Sequence, residues 1–128
     1  MTLHFKVGDT VEIPWQPRRP EIRVTEKLYD TVRLLRAIGI TAARRRSTVT
    51  YGEAEVASDW VFRGQGGGPA LDLLTYDCEQ RGEPSLACLF VRKDSGEVGT
   101  GFANPERAAD AREACFAHDW GRQDSLAG

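Results

Sequence analysis

Four apolar residues, Leu28, Val32, Leu35 and Ile38, follow one another at steps of four, three and three. That spacing lays one apolar stripe along a helix. Thr25 stands where an N-cap belongs and Gly39 where a left-handed C-cap belongs, so the helix is expected to lie between them. Thr50-Tyr51-Gly52-Glu53 then reads as a capping box: the Thr50 hydroxyl accepts from the Glu53 amide, and Glu53 reaches back to the Thr50 amide. A short helix from Tyr51 to about Ser58 is expected, with Ala54, Val56 and Ala57 available for packing.

On the N-terminal side, Phe5, Val7, Val11 and Ile13 alternate with polar residues, which is the period of a strand. Gly8-Asp9 interrupts it as a bulge or tight turn. Trp15 sits among Pro14, Pro17 and Pro20 in an extended connector. On the C-terminal side, the glycine loop Arg63-Gly64-Gln65-Gly66-Gly67-Gly68 leads into a third helix opened by Pro69, faced by Leu71, Leu74, Thr75 and Cys78 and ended by Gly82. Ser85 to Arg92 reads as a buried strand, Asp94 to Glu97 as a hairpin turn with Gly96 at positive φ, and Val98 to Phe102 as the return strand. Asn104 is placed to cap a last helix, opened by Pro105 and running to about Asp119.

This order predicts an α+β fold: a winged-helix-like helical core with a β-hairpin wing and an N-terminal β arm. The division expected is an arm over residues 1–20, the winged-helix-like domain over 21–120 and a loose polar tail over 121–128. The expected core is Leu28, Val32, Leu35, Ile38, Val56, Leu71, Leu74, Leu86, Leu89, Val91 and Phe116.

Residues 28–119 resemble the C-terminal domain of the alkylguanine-DNA alkyltransferases and the alkyltransferase-like proteins. Thr50-Tyr51-Gly52-Glu53-Ala54 matches that family's Thr-Tyr-Gly-x-x-Ala-type opening, and Gly96-Glu97-Val98-Gly99-Thr100-Gly101-Phe102 is similar to its glycine-rich hairpin. Pro84 falls where the family's proline sits, but Ser85-Leu86-Ala87 follows in place of Cys-His-Arg. Pro69-Ala70 stands where the family has an arginine that fills the space of a flipped base. The resemblance therefore implies the fold and no alkyl transfer, because Ser85 has no neighbouring histidine to activate it.

At 128 residues, 41% hydrophobic and 28% charged, the chain is expected to bury a core without disulfides or metals. A formal net charge of −2 excludes a strongly basic nucleic-acid binder and leaves room for a local basic patch. No run of 18 apolar residues and no signal-peptide core is present, so no membrane is expected and the cytosol is the expected compartment. The odd count of three cysteines agrees with a reducing compartment.

The candidate chemistry lies in charge. Arg44, Arg45 and Arg46 form a basic run, with Arg33, Arg36 and Arg63 near in the expected fold, and Arg92 with Lys93 sits at the hairpin. Cations beside a helix-turn-helix are the electrostatic footprint of phosphate binding. The bland alternative is a solvated run balanced by Glu21, Glu26, Asp30 and Glu53. The glycine loop has neither the lysine of a P-loop nor a βαβ context, so linker is the plainer reading. Cys78, Cys88, Cys115 and His118 read as buried thiols and a surface histidine rather than a zinc set, and His4 has no catalytic partner. The expectation is thus a non-enzymatic DNA-associated binding protein using Arg44, Arg45, Arg46, Arg63, Arg92 and Lys93 on double-stranded DNA, without cofactor or metal. The alternative is a protein–protein adaptor, for another chain or a second copy, using the N-terminal arm with Trp15 and an acidic third helix with Asp72, Asp77 and Glu79.

Overall fold

The structure, a computed structural model, describes residues 2–99 and 105–121. It is an α+β arrangement. β1 (Thr10–Glu12) and β2 (Glu21–Arg23) form an antiparallel pair with Val11 opposite Ile22. α1 (Glu26–Arg44), α2 (Tyr51–Ala57), α3 (Gly68–Arg81) and α4 (Ala108–Ala117) supply the helices. β3 (Val49–Thr50) and β4 (Phe90–Val91) form a short parallel pair. The core lies where α1, α3, α4 and a 3-10 turn at Leu86–Leu89 meet.

The local signals around the first two helices act as expected. The Thr25 hydroxyl accepts from the Leu28 amide at 3.1 Å. The capping box closes in both directions, Glu53 N to Thr50 Oγ1 at 3.1 Å and Thr50 N to Glu53 Oε1 at 2.8 Å. Val32, Leu35 and Ile38 are buried, and Leu28 is half-buried against the same core.

Gly39 is not a cap. α1 runs one and a half turns beyond it, because Ile40, Ala42 and Ala43 are buried too. The glycine is there for close packing: a Cβ on it would lie 3.3 Å from Leu86 Cβ and 3.4 Å from the Phe90 ring. The helix ends instead in a Schellman closure, with Ser47 N donating to Ala42 O and Arg46 N to Ala43 O, both at 3.0 Å. Arg46 takes the left-handed position usually given to glycine, at φ 54°.

Several other expectations are corrected. Val56 is 65% exposed and leaves the core, while Leu71 and Phe116 are only partly buried against it. Half of Ser85–Arg92, the stretch Leu86–Leu89, is the 3-10 turn, and only Phe90 and Val91 are strand. A run buried on every side has no alternation to fix its backbone, which is why sequence did not separate the two. The turn itself is present, closed by Arg92 N to Glu97 O and Gly96 N to Arg92 O, each at 2.8 Å. Val98 and Gly99 are not strand, and the rest of the expected return strand, the Asn104 cap and the tail beyond Gly121 lie outside the described residues. Pro105 opens a 3-10 turn, Pro105–Arg107, ahead of α4.

The N-terminal segment is packed onto the same core. Leu3, Phe5, Val11 and Ile13 are all buried, and the connector expected between residues 14 and 20 returns as β2, a strand that the sequence pattern does not announce.

Candidate functional site: a cleft between the connector, α3 and the Arg92 turn

A cleft of about 640 Å³ opens where five stretches of chain converge. Gln16 and Arg19 come from the β1–β2 connector, Tyr51 from the start of α2, Gly64 from the glycine loop, and Gly68, Leu71, Asp72 and Thr75 from the first two turns of α3. Ala87 and Phe90 form the floor, and Arg92, Lys93, Asp94, Val98 and Gly99 the opposite wall. The volume falls within the roughly 300–1,000 Å³ of small-ligand sites.

Each wall is held by identifiable bonds. The Asp72 carboxylate, 7% exposed, accepts from Trp15 Nε1 at 3.2 Å, Gln16 Nε2 at 3.2 Å and Arg19 Nη2 at 2.8 Å, so one side chain fastens the whole connector to α3. Arg19 lies close over the start of α3: a Cβ on Gly68 would be 3.0 Å from its Nη2. Tyr51 Oη accepts from the Gly99 amide at 3.2 Å, linking α2 to the far wall. Arg92 bonds Asp94 at 3.0 Å, and Arg112 of α4 reaches Glu97 at 2.9 Å and Cys88 O at 3.3 Å, which steadies the turn from behind. Thr75 Oγ1 and Ser85 Oγ lie 3.3 Å apart.

The glycine loop is a bonded turn. The Gly64 amide donates to Glu55 Oε2 at 2.8 Å, so an internal carboxylate occupies the place considered for a phosphate. Gly67 is buried because a Cβ there would fall 2.5 Å from Arg63 O and 2.6 Å from the Phe62 ring.

The predicted residues divide sharply. Arg92 and Lys93 come together on the cleft wall. Arg44 and Arg45 are exposed at the end of α1, away from the cleft lining, and Arg46 is turned onto α4, 3.7 Å from Glu113 and 5.4 Å over the Phe116 ring. Arg63 is exposed and stacks on Trp60 at 5.6 Å. Arg36, counted with the basic cluster, is 1% exposed and pairs with Glu83 and Asp77.

The acidic face expected on α3 is corrected as well. Asp77 is fully buried and accepts from the His4 amide at 2.8 Å and Arg81 Nε at 3.0 Å, and Asp72 is the connector's anchor, so only Glu79 remains on the surface. Trp15 is half-buried and Trp120 buried, its Nε1 donating to Cys115 O at 2.9 Å, while Trp60, just past the end of α2, is 54% exposed. Sequence reasoning missed Gln16, Arg19 and Thr75 as site residues. Tyr51 did carry a signal, as part of the Thr-Tyr-Gly opening.

The thiols are all buried. Burial pushes Cys78 up to about 12, with the positive charge of Arg36 only partly opposing it. Cys88 and Cys115 lie Sγ to Sγ at 3.8 Å, and that approach, together with burial, raises Cys115 well above the ordinary thiol range. Cys78 and Cys115 therefore stay neutral and make poor nucleophiles or metal ligands. Among the described residues, no group of three or more His, Cys, Asp or Glu side chains is placed to hold a metal ion, and no helix is long and apolar enough to cross a membrane.

No protein-family model matches the chain, and neither the curated proteins nor the solved structures contain a match to it.

Proposed function

We propose that this chain is a non-enzymatic binding module that works on DNA through a winged-helix-like surface. Arg92 and Lys93 engage phosphate at the cleft wall, and Arg44, Arg45 and Arg63 add contacts outside it. The observation that carries this reading is how the cations are used. Arg19, Arg36, Arg46, Arg81, Arg92 and Arg112 are paired with carboxylates of the chain, whereas Lys93, Arg44, Arg45 and Arg63 are exposed and form no ion pair among the described residues; Arg92, 49% exposed, engages phosphate by exchanging Asp94 for it. Exposed cations free of a carboxylate displace the counterions of a nucleic acid without first breaking an internal bond.

The test is fluorescence anisotropy with a labelled duplex between 50 and 200 mM salt. Each phosphate contact adds about 0.9 to the slope of log affinity against log salt. Arg92→Gln with Lys93→Gln should therefore lower the slope by roughly 2. No binding at low salt, or a slope indifferent to both substitutions, overturns the reading.

One observation favours an adaptor as the second reading. Val56 and Trp60, four residues apart, are 65% and 54% exposed, and Asp59 and Trp60 both sit at positive φ, 53° and 64°. Large exposed side chains held out on a strained turn suit a protein contact. A complex abolished by Trp60→Ala and insensitive to salt would select it.

A further inference from the structure

We propose that the cleft is a site for a discrete small organic anion: a flat or apolar, ring-bearing body carrying one phosphate or carboxylate group. This goes beyond phosphate binding along a DNA backbone and does not depend on it.

The first argument is an inventory of donors and acceptors. Three cations line the cleft, Arg19, Arg92 and Lys93, against two carboxylates, Asp72 and Asp94. Asp72 is already used by Trp15, Gln16 and Arg19, and Asp94 by Arg92. On the donor side much is left over. Lys93 has three N–H groups and no ion pair among the described residues. Each guanidinium offers five N–H groups, of which Arg19 Nη2 is used on Asp72 and Arg92 Nη2 on Asp94. A cleft with surplus donors and committed carboxylates selects an acceptor-rich, negatively charged guest.

The second argument concerns the rest of the guest. Leu71, Ala87, Phe90 and Val98 give the cleft an apolar lining between its charged groups, and Tyr51 lines it with them. Tyr51 is held by the Gly99 amide on its Oη and by the Phe62 ring, 6.3 Å away and tilted at 57°. A bare inorganic ion would leave this surface uncovered. An apolar body removes it from water, which favours binding. The cleft walls are tied down before any guest arrives, by Asp72 on one side and Arg112 on the other, so little ordering cost falls on binding.

The test uses phenyl phosphate, with inorganic phosphate and phenol as its two halves, followed by amide chemical shifts in solution. Phenyl phosphate should bind saturably, moving the amides of Tyr51, Lys93 and Gly99, and each half alone should bind at least about tenfold more weakly, a loss of 1.4 kcal/mol or more. Lys93→Gln should weaken phenyl phosphate about fivefold or more, whereas Lys27→Gln, an exposed cation on α1 outside the cleft, should change nothing. Benzoate in place of phenyl phosphate reports whether carboxylate serves as well as phosphate. No saturation below about 10 mM, equal affinity for inorganic phosphate, or indifference to Lys93→Gln each overturns the proposal. A duplex that binds with a steep salt slope while phenyl phosphate does not bind sinks the cleft and leaves the DNA reading standing. The reverse pattern supports the cleft and removes the DNA reading.

Discussion

Arg36 and Glu83 form a two-pronged ion pair, Nη1 to Oε1 at 2.8 Å and Nη2 to Oε2 at 3.0 Å, with the guanidinium 1% exposed. Asp77 stands 3.7 Å from the same guanidinium, and the Trp120 ring lies 6.0 Å away. Burial works against the positive charge, but the hydrogen bonds and attraction of Glu83 outweigh it, and the guanidinium is held above its ordinary range. One residue of α1 thereby ties together α3, the segment after it and the C-terminal tryptophan.

Arg36→Met should be strongly destabilising. It leaves Glu83 without its partner and Asp77 with one cation fewer, and removing one member of a buried pair costs about 3 kcal/mol. For a domain of this size that lowers Tm by roughly 10 °C. Arg33→Met, three residues earlier on the exposed face with Asp30 at 3.8 Å, is the control and should cost less than about 0.5 kcal/mol. Urea unfolding of both variants measures the contrast, and equal losses would mean that the buried pair contributes nothing particular.

Asp72→Ala should loosen the connector before it unfolds the protein. Three donors, Trp15 Nε1, Gln16 Nε2 and Arg19 Nη2, lose their acceptor together. The global cost should be about 2 kcal/mol, the penalty of leaving part-buried polar groups unmet. The sharper readout is amide exchange. Gln16 N and Arg19 N donate within the connector, to Ile13 O and Gln16 O, and should exchange faster, while the Glu53 amide in the capping box keeps its rate. Unchanged exchange at Gln16 and Arg19 would show that the connector is held by its prolines alone.

What was legible in the sequence was local. Thr25, the Leu28–Ile38 stripe and the Thr50–Glu53 box lie within a few residues of what they act on, and each behaves as its chemistry dictates. What was not legible depends on partners far along the chain. Asp72 and Asp77 look like a solvated acidic face until Arg19, 53 residues from Asp72, and Arg36 of α1 are placed beside them. Spacing did hold a hint, since Asp77 falls in register with Ala70, Leu73 and Leu74 on the buried side of α3. Gly39 looks like a stop because its real neighbours, Leu86 and Phe90, arrive from nearly fifty residues away. The cleft was half visible: Arg92 and Lys93 stood out by charge, but Gln16, Arg19 and Thr75 carry no motif.

Stability should fall in alkali, and Cys78 should carry part of the fall. Its thiol is raised from the ordinary 9.0 to about 12 by burial. A raised acid of this kind keeps its proton when folded and loses it when unfolded. Its stabilising contribution is therefore complete below about pH 9 and disappears as pH climbs toward 12. Cys78→Ala should be less stable at pH 8, because a buried sulfur is removed, yet show a shallower decline between about pH 9 and pH 11. Urea midpoints at the two ends of that window decide it, and parallel declines would mean that Cys78 does not titrate on unfolding.

Arg46 separates architecture from charge within the Arg44–Arg46 run. It holds the left-handed position of the α1 closure at φ 54°, which costs an L-residue roughly 1 kcal/mol and glycine almost nothing. Its side chain, 64% exposed, returns part of that through Glu113 at 3.7 Å and the Phe116 ring at 5.4 Å, interactions worth about 0.5 kcal/mol each at such exposure. Arg46→Gly should accordingly leave stability within about 0.5 kcal/mol of the parent. Because the guanidinium is turned onto α4, the same variant should also leave the salt slope for duplex DNA unchanged, whereas Arg44→Gln and Arg45→Gln lower it by about 0.9 for each phosphate no longer neutralised. A slope reduced as much by Arg46→Gly as by its neighbours would show that the side chain leaves Phe116 for phosphate, and that all three arginines act as one patch.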